Sequence, residues 1–136
     1  MEGFPYSESP FPRTFLLNYS RNKMLVKNNE SIKKSNSAKC TVWEYPITSK
    51  FMSSATALIN GRYPDKGMVS NLECEEIYYV ISGTGTIHSD KGDFKIAKGD
   101  LYLFEKKEKY FVEGKKLFIF LMNAPPWNLK QYKGYQ

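Results

Sequence analysis

The sequence predicts an all-β barrel or sandwich made of several short antiparallel strands, and three observations predict it. Aromatic residues are abundant, with 10 Tyr and 9 Phe in 136 residues, and such side chains suit a pleated, half-buried sheet. Period-two alternation recurs along the chain, broken by Gly, Pro and Asn turn signals roughly every ten residues. No stretch of the core shows the apolar spacing of an amphipathic helix.

Each expected element follows from its own residues. From Cys40 to Tyr45, Cys40, Val42 and Glu44 alternate against Thr41, Trp43 and Tyr45, and Pro46 ends the run. Ser54 to Ile59 repeats the pattern, Asn60-Gly61 is expected to turn, and GRYPDKG to form a loop. In Glu75 to Ser82, Glu76, Tyr78 and Val80 share one face and Ile77, Tyr79 and Ile81 the other. Both faces are largely apolar, which predicts packing on both sides and makes a carboxylate at Glu76 costly unless it is hydrogen-bonded. Gly83-Thr84-Gly85 reads as a bend into Thr86-Ile87-His88. A turn at Asp90-Lys91-Gly92 leads to Phe94-Lys95-Ile96, and another at Lys98-Gly99-Asp100 to LYLFE. A charged turn, EKKEK, precedes Tyr110-Phe111-Val112. A glycine turn at Gly114 then leads to the last strand, LFIFLM, closed by Pro125-Pro126-Trp127.

Residues 1–37 differ from this pattern. Pro5, Pro10 and Pro12 oppose a helix, whereas Phe4, Tyr6, Phe11 and Phe15 are too apolar for a free tail. The segment is expected to be an arm lying on the barrel or on a second subunit, and the polar run NKMLVKNNESIKKSNSAK a linker or a solvated helix fragment. The expected organisation is an arm at 1–37, a barrel at 38–126 and a tail at 127–136.

The net charge of +6 resides in lysines scattered over expected turns, with Arg confined to Arg13, Arg21 and Arg62. No continuous basic helix exists, so nucleic acid is not an expected partner. Cys40 and Cys74 are expected to be reduced. There is no apolar run of about 18 residues, and MEGFPYSESPFP lacks the basic-then-apolar order of a signal peptide. A cytoplasmic protein with no membrane partner is expected.

Residues 40–126 resemble the cupin superfamily, double-stranded β-helix barrels of the jelly-roll type. The resemblance is carried by EEIYYVISGTGTI, in which Glu76 precedes Gly83 by the family's spacing, and by Gly99-Asp100, which opens the second motif. It implies a barrel with Glu76 facing inward, and in cupin enzymes a divalent metal held by three histidines and a glutamate. By spacing, the first two histidines fall on Val69 and Asn71, or on Ser70 and Leu72. The third falls on Tyr110, with Glu105 and Lys107 where a proline and a glycine are expected. Only Glu76 remains of the ligand set, so no metal and no cofactor are expected.

The leading functional expectation is therefore a metal-free barrel that binds a small polar molecule, for example a carbohydrate, through Asn71, Cys74, Glu76, Tyr78 and Tyr110. One alternative is an isomerase or epimerase with Glu76 and Tyr110 as acid and base. Others are an atypical metal site at Glu73, Cys74 and Glu76, or a structural module with a vestigial pocket. Cys74 beside carboxylates is expected to be a packing residue rather than a nucleophile. His88, the only histidine, is expected at a surface turn. Trp127 is expected to pin the tail, the alternative being a cap over the barrel mouth or a stacking platform for a sugar. A homodimer formed through sheet edges is expected.

Overall fold

The computed structural model describes residues 23–136. Phe4, Tyr6, Phe11, Phe15 and most of the expected arm lie outside the described residues. The described chain is one antiparallel sheet of nine strands curled on itself: β1 (Ile32–Ser37), β2 (Cys40–Tyr45), β3 (Ser53–Tyr63), β4 (Met68–Asn71), β5 (Glu75–Ser89), β6 (Gly92–Ala97), β7 (Leu101–Phe104), β8 (Tyr110–Ala124) and β9 (Tyr132–Tyr135). The long strand β8 lies between β3 and β5 along most of its length. Beyond β5 the sheet continues into β7 along the first part of that strand and into β6 along the second. Among the described residues the only helical turns are the short 3-10 segments Asn28–Glu30 and Leu129–Gln131.

The alternation expected from the sequence sets the two faces of this sheet. Val42, Ala57, Ile119 and Val80 are cross-strand partners and all are buried on the inner face. Residues at the intervening positions point outward. In β5 only one face is packed: Tyr79 and Ile81 remain 43% and 38% exposed, against the expectation of packing on both sides.

Two glycine signals expected to make turns instead lie within strands, Asn60-Gly61 in β3 and Gly114 in β8, while Gly83-Thr84-Gly85, expected as a bend, lies within β5; the register shifts near Gly61 and around Gly83 mark bulges. Gly61 pairs with Gly114, which pairs with Gly85, so a row of glycines crosses three strands where the barrel bends. A Cβ on Gly114 would stand 2.4 Å from the Ile59 carbonyl oxygen, which explains why the row has no side chains.

Three strands carry no clear sequence signal. β1 is IKKSNS, mostly exposed, and pairs with β2 where a linker or helix fragment was expected. β4 lies just after the expected GRYPDKG loop, and β9 lies in the expected tail. They pair with each other from Met68 with Tyr135 to Asn71 with Tyr132. β1 and β9 therefore extend the sheet on both sides of 38–126.

His88 is not a turn residue. It lies on β5 with its ring stacked on Phe111, centroids 4.3 Å apart. Its Nδ1 is 3.0 Å from Asp93 Oδ1 on β6 and its Nε2 2.8 Å from Glu113 Oε1 on β8. The ring thus fastens the β5–β6 hairpin to β8 on the outer face. Both carboxylates are exposed, so screening limits the ion-pair contribution. His88→Ala is expected to lower stability by about 1 kcal/mol, chiefly through the lost stack. Urea denaturation checks this, and ligand affinity should not change.

Candidate functional site

The inner face of the barrel is not filled. Ala55 and Ala57 on β3 present only methyl groups to the interior, and a cavity of about 560 Å³ opens there. Its deep end is formed by Asn71, Glu76, Tyr78, Tyr110 and Asn123, and its aromatic flank by Tyr63 and Tyr132. Trp127 and Leu129 stand at the mouth with residues of β1 and β2.

Glu76 is the centre of the deep end. On β5 it is flanked across the sheet by Asn123 of β8 and Phe104 of β7, and it is 7% exposed. Its Oε1 accepts hydrogen bonds from Asn71 Nδ2 at 2.9 Å and from the Tyr110 hydroxyl at 3.4 Å. The Asn123 amide stands further off, directed to Cys74 Sγ at 3.5 Å. The hydrogen bonds from Asn71 and Tyr110 both fall on Oε1, none of normal length falls on Oε2 among the described residues, and Glu76 lines the cavity. Burial pushes the carboxyl up to about 7, against the hydrogen bonds from Asn71 and Tyr110 and the more distant Asn123 amide, all of which favour the anion.

The phenols around it stay protonated. Burial, reinforced by the Glu76 carboxylate, holds Tyr78 and Tyr110 well above the ordinary phenol range. Phe104, 1% exposed, lies against both rings, with centroids 4.7 Å from Tyr78 and 4.2 Å from Tyr110, and so fixes where their hydroxyls point. Tyr63 and Tyr132 hydrogen-bond to each other through their hydroxyls.

A chain of amides anchors this arrangement to the C-terminal segment. Gln131, 2% exposed, donates from Nε2 to Asn71 Oδ1 at 2.9 Å, and Asn71 in turn donates to Glu76. Gln131 Oε1 accepts from Cys74 Sγ at 3.3 Å and from the Glu73 backbone N–H at 3.2 Å. The 3-10 turn that carries Gln131 is capped by Asn128, whose side chain accepts from the Lys130 N–H.

Of the residues expected at the site, Asn71, Glu76, Tyr78 and Tyr110 meet on the cavity wall. Cys74 is brought to the same polar network, but it sits behind the wall, 1% exposed, and faces Gln131 and Asn123. Burial raises its thiol, as it raises that of Cys40, which lines the cavity and is pushed up to about 12. Both cysteines are free. Tyr63, Asn123, Gln131 and Tyr132 were not expected. The sequence carries no local signal for them, because each arrives through pairing distant in the chain. Trp127 lines the mouth and is also held there, its backbone N–H donating to Ser53 Oγ at 3.0 Å and its ring 5.6 Å from that of Tyr132.

The charges at the mouth are balanced. Lys34 is paired with Glu44 at 3.1 Å, and both line the cavity, so no unpaired cation among the described residues faces its interior. A second buried carboxylate, Glu108, belongs to the expected charged turn. It is 3% exposed and accepts from Ser89 Oγ, the Tyr102 hydroxyl and the Glu105 N–H. It takes no part in the cavity.

No protein-family model and no curated sequence matches this chain. Solved structures do. Streptomyces Pac13, described as a unique nucleoside dehydratase and also solved with uridine, superposes with a TM-score of 0.76 at 16% identity, over 84% of this chain and 92% of that one. An RmlC-like cupin from Shewanella frigidimarina superposes with a TM-score of 0.64 at 9% identity, over 76% and 91%. The chain has the cupin fold. Ectoine synthase from P. lautus is a further match to this cupin barrel, with a TM-score of 0.60 at 17% identity, over 83% and 91%.

The metal that the cupin resemblance implies does not suit the side chains of this cupin barrel. Its deep end offers one carboxylate, two amides and two phenols held in the protonated form, and no imidazole. Among the described residues no group of three His, Cys, Asp or Glu is placed to hold a metal ion, and His88 lies on the outer face. A transition-metal ion at such a site would lack the neutral nitrogen donors that usually lead its coordination.

Proposed function

We propose that the chain is a metal-free cupin-fold protein that binds a small, uncharged, hydroxyl-bearing molecule in the barrel, a carbohydrate or a nucleoside. The observation that carries this proposal is Glu76 Oε2, an open acceptor on a buried carboxylate at the end of an open cavity. An acceptor that faces the cavity with no protein donor of its own is open to a ligand hydroxyl, and a hydrogen bond to a carboxylate is among the stronger ones a neutral ligand can make. The Tyr78 hydroxyl, beside that of Tyr110, and the Asn123 amide offer further hydrogen bonds next to it. Tyr63, Tyr132 and Trp127 supply flat apolar surface for a sugar face or a base.

The charge inventory selects against anions. With Lys34 already paired and Glu76 at the deep end, a phosphate or carboxylate in the cavity would meet repulsion without a compensating cation. The volume suits a ligand of nucleoside or disaccharide size. The likeness to a protein described as a nucleoside dehydratase supports the choice of a sugar-bearing ligand.

One observation favours a second reading, acid–base catalysis. A carboxyl pushed up to about 7 takes and returns a proton near neutral pH, and Tyr110, held protonated beside it, is placed to donate. In that case the ligand is a substrate, and Glu76 acts on a proton or a hydroxyl within reach of Oε2.

A thermal-shift screen of neutral monosaccharides and nucleosides tests the binding proposal. A ligand raises the unfolding temperature by mass action, and a vestigial pocket gives no response to any of them. Tyr110→Phe is expected to weaken the responding ligand roughly fivefold to tenfold, the scale of one hydrogen bond to a buried carboxylate lost. An unchanged affinity would remove Tyr110 from the site.

A further inference from the structure

The amide network behind the cavity has a direction. The oxygen and nitrogen of an amide are nearly the same size, so Asn and Gln side chains take their orientation from partners that only donate or only accept. One end of the network is the backbone N–H of Glu73, which only donates and reaches Gln131 Oε1 at 3.2 Å. The other end is Glu76, which only accepts when ionised. Between them Gln131 Nε2 donates to Asn71 Oδ1 and Asn71 Nδ2 to Glu76 Oε1, each at 2.9 Å. Turning either amide would set donor against donor at one contact and acceptor against acceptor at the other, a costly change inside the protein.

We infer that Gln131 is a positioning residue of the ligand site: acting through Asn71, it fixes Glu76 as an acceptor that meets the ligand at Oε2 and selects a hydroxyl there over an ether or carbonyl oxygen. The inference rests on the proposed reading of the cavity as a ligand site. Three observations support it. Gln131 and Asn71 are 2% and 3% exposed, so bulk water does not stand in for either partner. The Gln131 backbone is itself fixed, its carbonyl accepting from the Leu72 N–H at 2.8 Å and its N–H donating to the Asn128 carbonyl at 3.3 Å, and the next residue, Tyr132, pairs with Asn71. The donors from Asn71 and Tyr110 both occupy Oε1, which leaves Oε2 to the ligand. A ligand hydroxyl donates to Oε2, whereas an ether or carbonyl oxygen would face it acceptor against acceptor.

The C-terminal segment thus serves the site twice. Trp127 and Tyr132 supply part of the cavity wall, and Gln131 between them orients the polar group at its deep end.

Side-chain amide 1H–15N spectra of the full chain without ligand, at pH 8 where the Glu76 carboxylate is ionised, test the inference. In the wild type one proton of the Asn71 NH2 is expected to be shifted downfield by the carboxylate and protected from exchange. Gln131→Met keeps the length of the side chain and removes its donor and acceptor, and the Asn71 signal is expected to lose both features. A residue that only fills space could be replaced in this way without effect, so an unchanged Asn71 signal would overturn the inference. Should Gln131→Met fail to fold, Glu76→Gln carries the test: removing the charge is expected to move the NH2 signals of both Asn71 and Gln131 upfield, and a Gln131 signal that stays in place would overturn the relay. Calorimetric titration of Gln131→Met with uridine and glucose adds a binding readout. Whichever compound binds the wild type is expected to bind the variant roughly fivefold more weakly, and undiminished affinity would overturn the positioning role. Failure of both compounds to bind the wild type would count against the proposed function, while the amide spectra decide the relay independently of any ligand.

Discussion

Glu76→Gln is expected to make the protein more stable at pH 8 and less able to bind its ligand. The carboxyl has an ordinary value of 4.5 and is pushed up to about 7 in the fold by burial. Below pH 4.5 it is protonated in both folded and unfolded chains and has no effect on stability. Between 4.5 and 7 the folded chain keeps a proton that the unfolded chain releases, so stability falls as pH rises. Above 7 the full cost of the buried anion is present, about 3 kcal/mol. Glutamine keeps an acceptor for Asn71 Nδ2 and removes the charge. The variant should therefore melt on the order of 10 °C above the wild type at pH 8, with the difference closing toward pH 4.5. Calorimetric melting across that pH range checks it. A wild-type melting temperature that does not decline between pH 5 and pH 8 would show that Glu76 carries no buried charge.

Gly83→Ala is expected to destabilise the barrel by about 3 kcal/mol or more. Gly83 sits in the bulge of β5 at φ +82°, where an L side chain is strained, and a Cβ there would stand 2.0 Å from the Lys116 carbonyl oxygen. The contact is with backbone, so it is relieved only by moving β8 away from β5, the longest strand pairing in the molecule. Gly99 is the internal comparison. It also has a positive φ, of 90°, but a Cβ there meets nothing within 4 Å, so Gly99→Ala should cost only the backbone term of roughly 1 kcal/mol. Urea midpoints of the two variants separate the explanations, and equal losses would contradict the close-approach argument.

These two residues also show what was legible in the sequence. The strands that alternate, β2, β3, β5 and β8, could be read because one face of each is buried and the period-two pattern records that burial. Their lengths could not. Gly61 and Gly114 look like turns in a local reading, because a glycine that lets two backbones approach and a glycine that turns a chain are the same letter. β1 was invisible because an exposed edge strand has no apolar face to alternate. β9 is four residues long and is recruited only by β4.

The site divides in the same way. Glu76 was legible because its spacing to Gly83 belongs to a strand that runs into a bulge, and Asn71, Tyr78 and Tyr110 followed from it. Gln131 was not, although it holds Asn71 in place, because the contact spans 60 residues and depends on a 3-10 turn in what read as a tail. Tyr63, Tyr132 and Asn123 reach the cavity through strand pairing that only the folded sheet reveals. The openness of the cavity was not legible either. It depends on Ala55 and Ala57, two small residues on an otherwise ordinary strand.

The most direct test of a ligand cavity built on Glu76 is calorimetric titration of the wild type and Glu76→Gln with uridine, glucose and their phosphorylated counterparts, uridine monophosphate and glucose 6-phosphate. The predicted result is saturable binding of at least one neutral compound at one per chain, no binding of its phosphorylated form, and a loss of at least tenfold in Glu76→Gln despite that variant's greater stability at pH 8. Failure of both neutral compounds to bind, or equal affinity for wild type and Glu76→Gln, would contradict it.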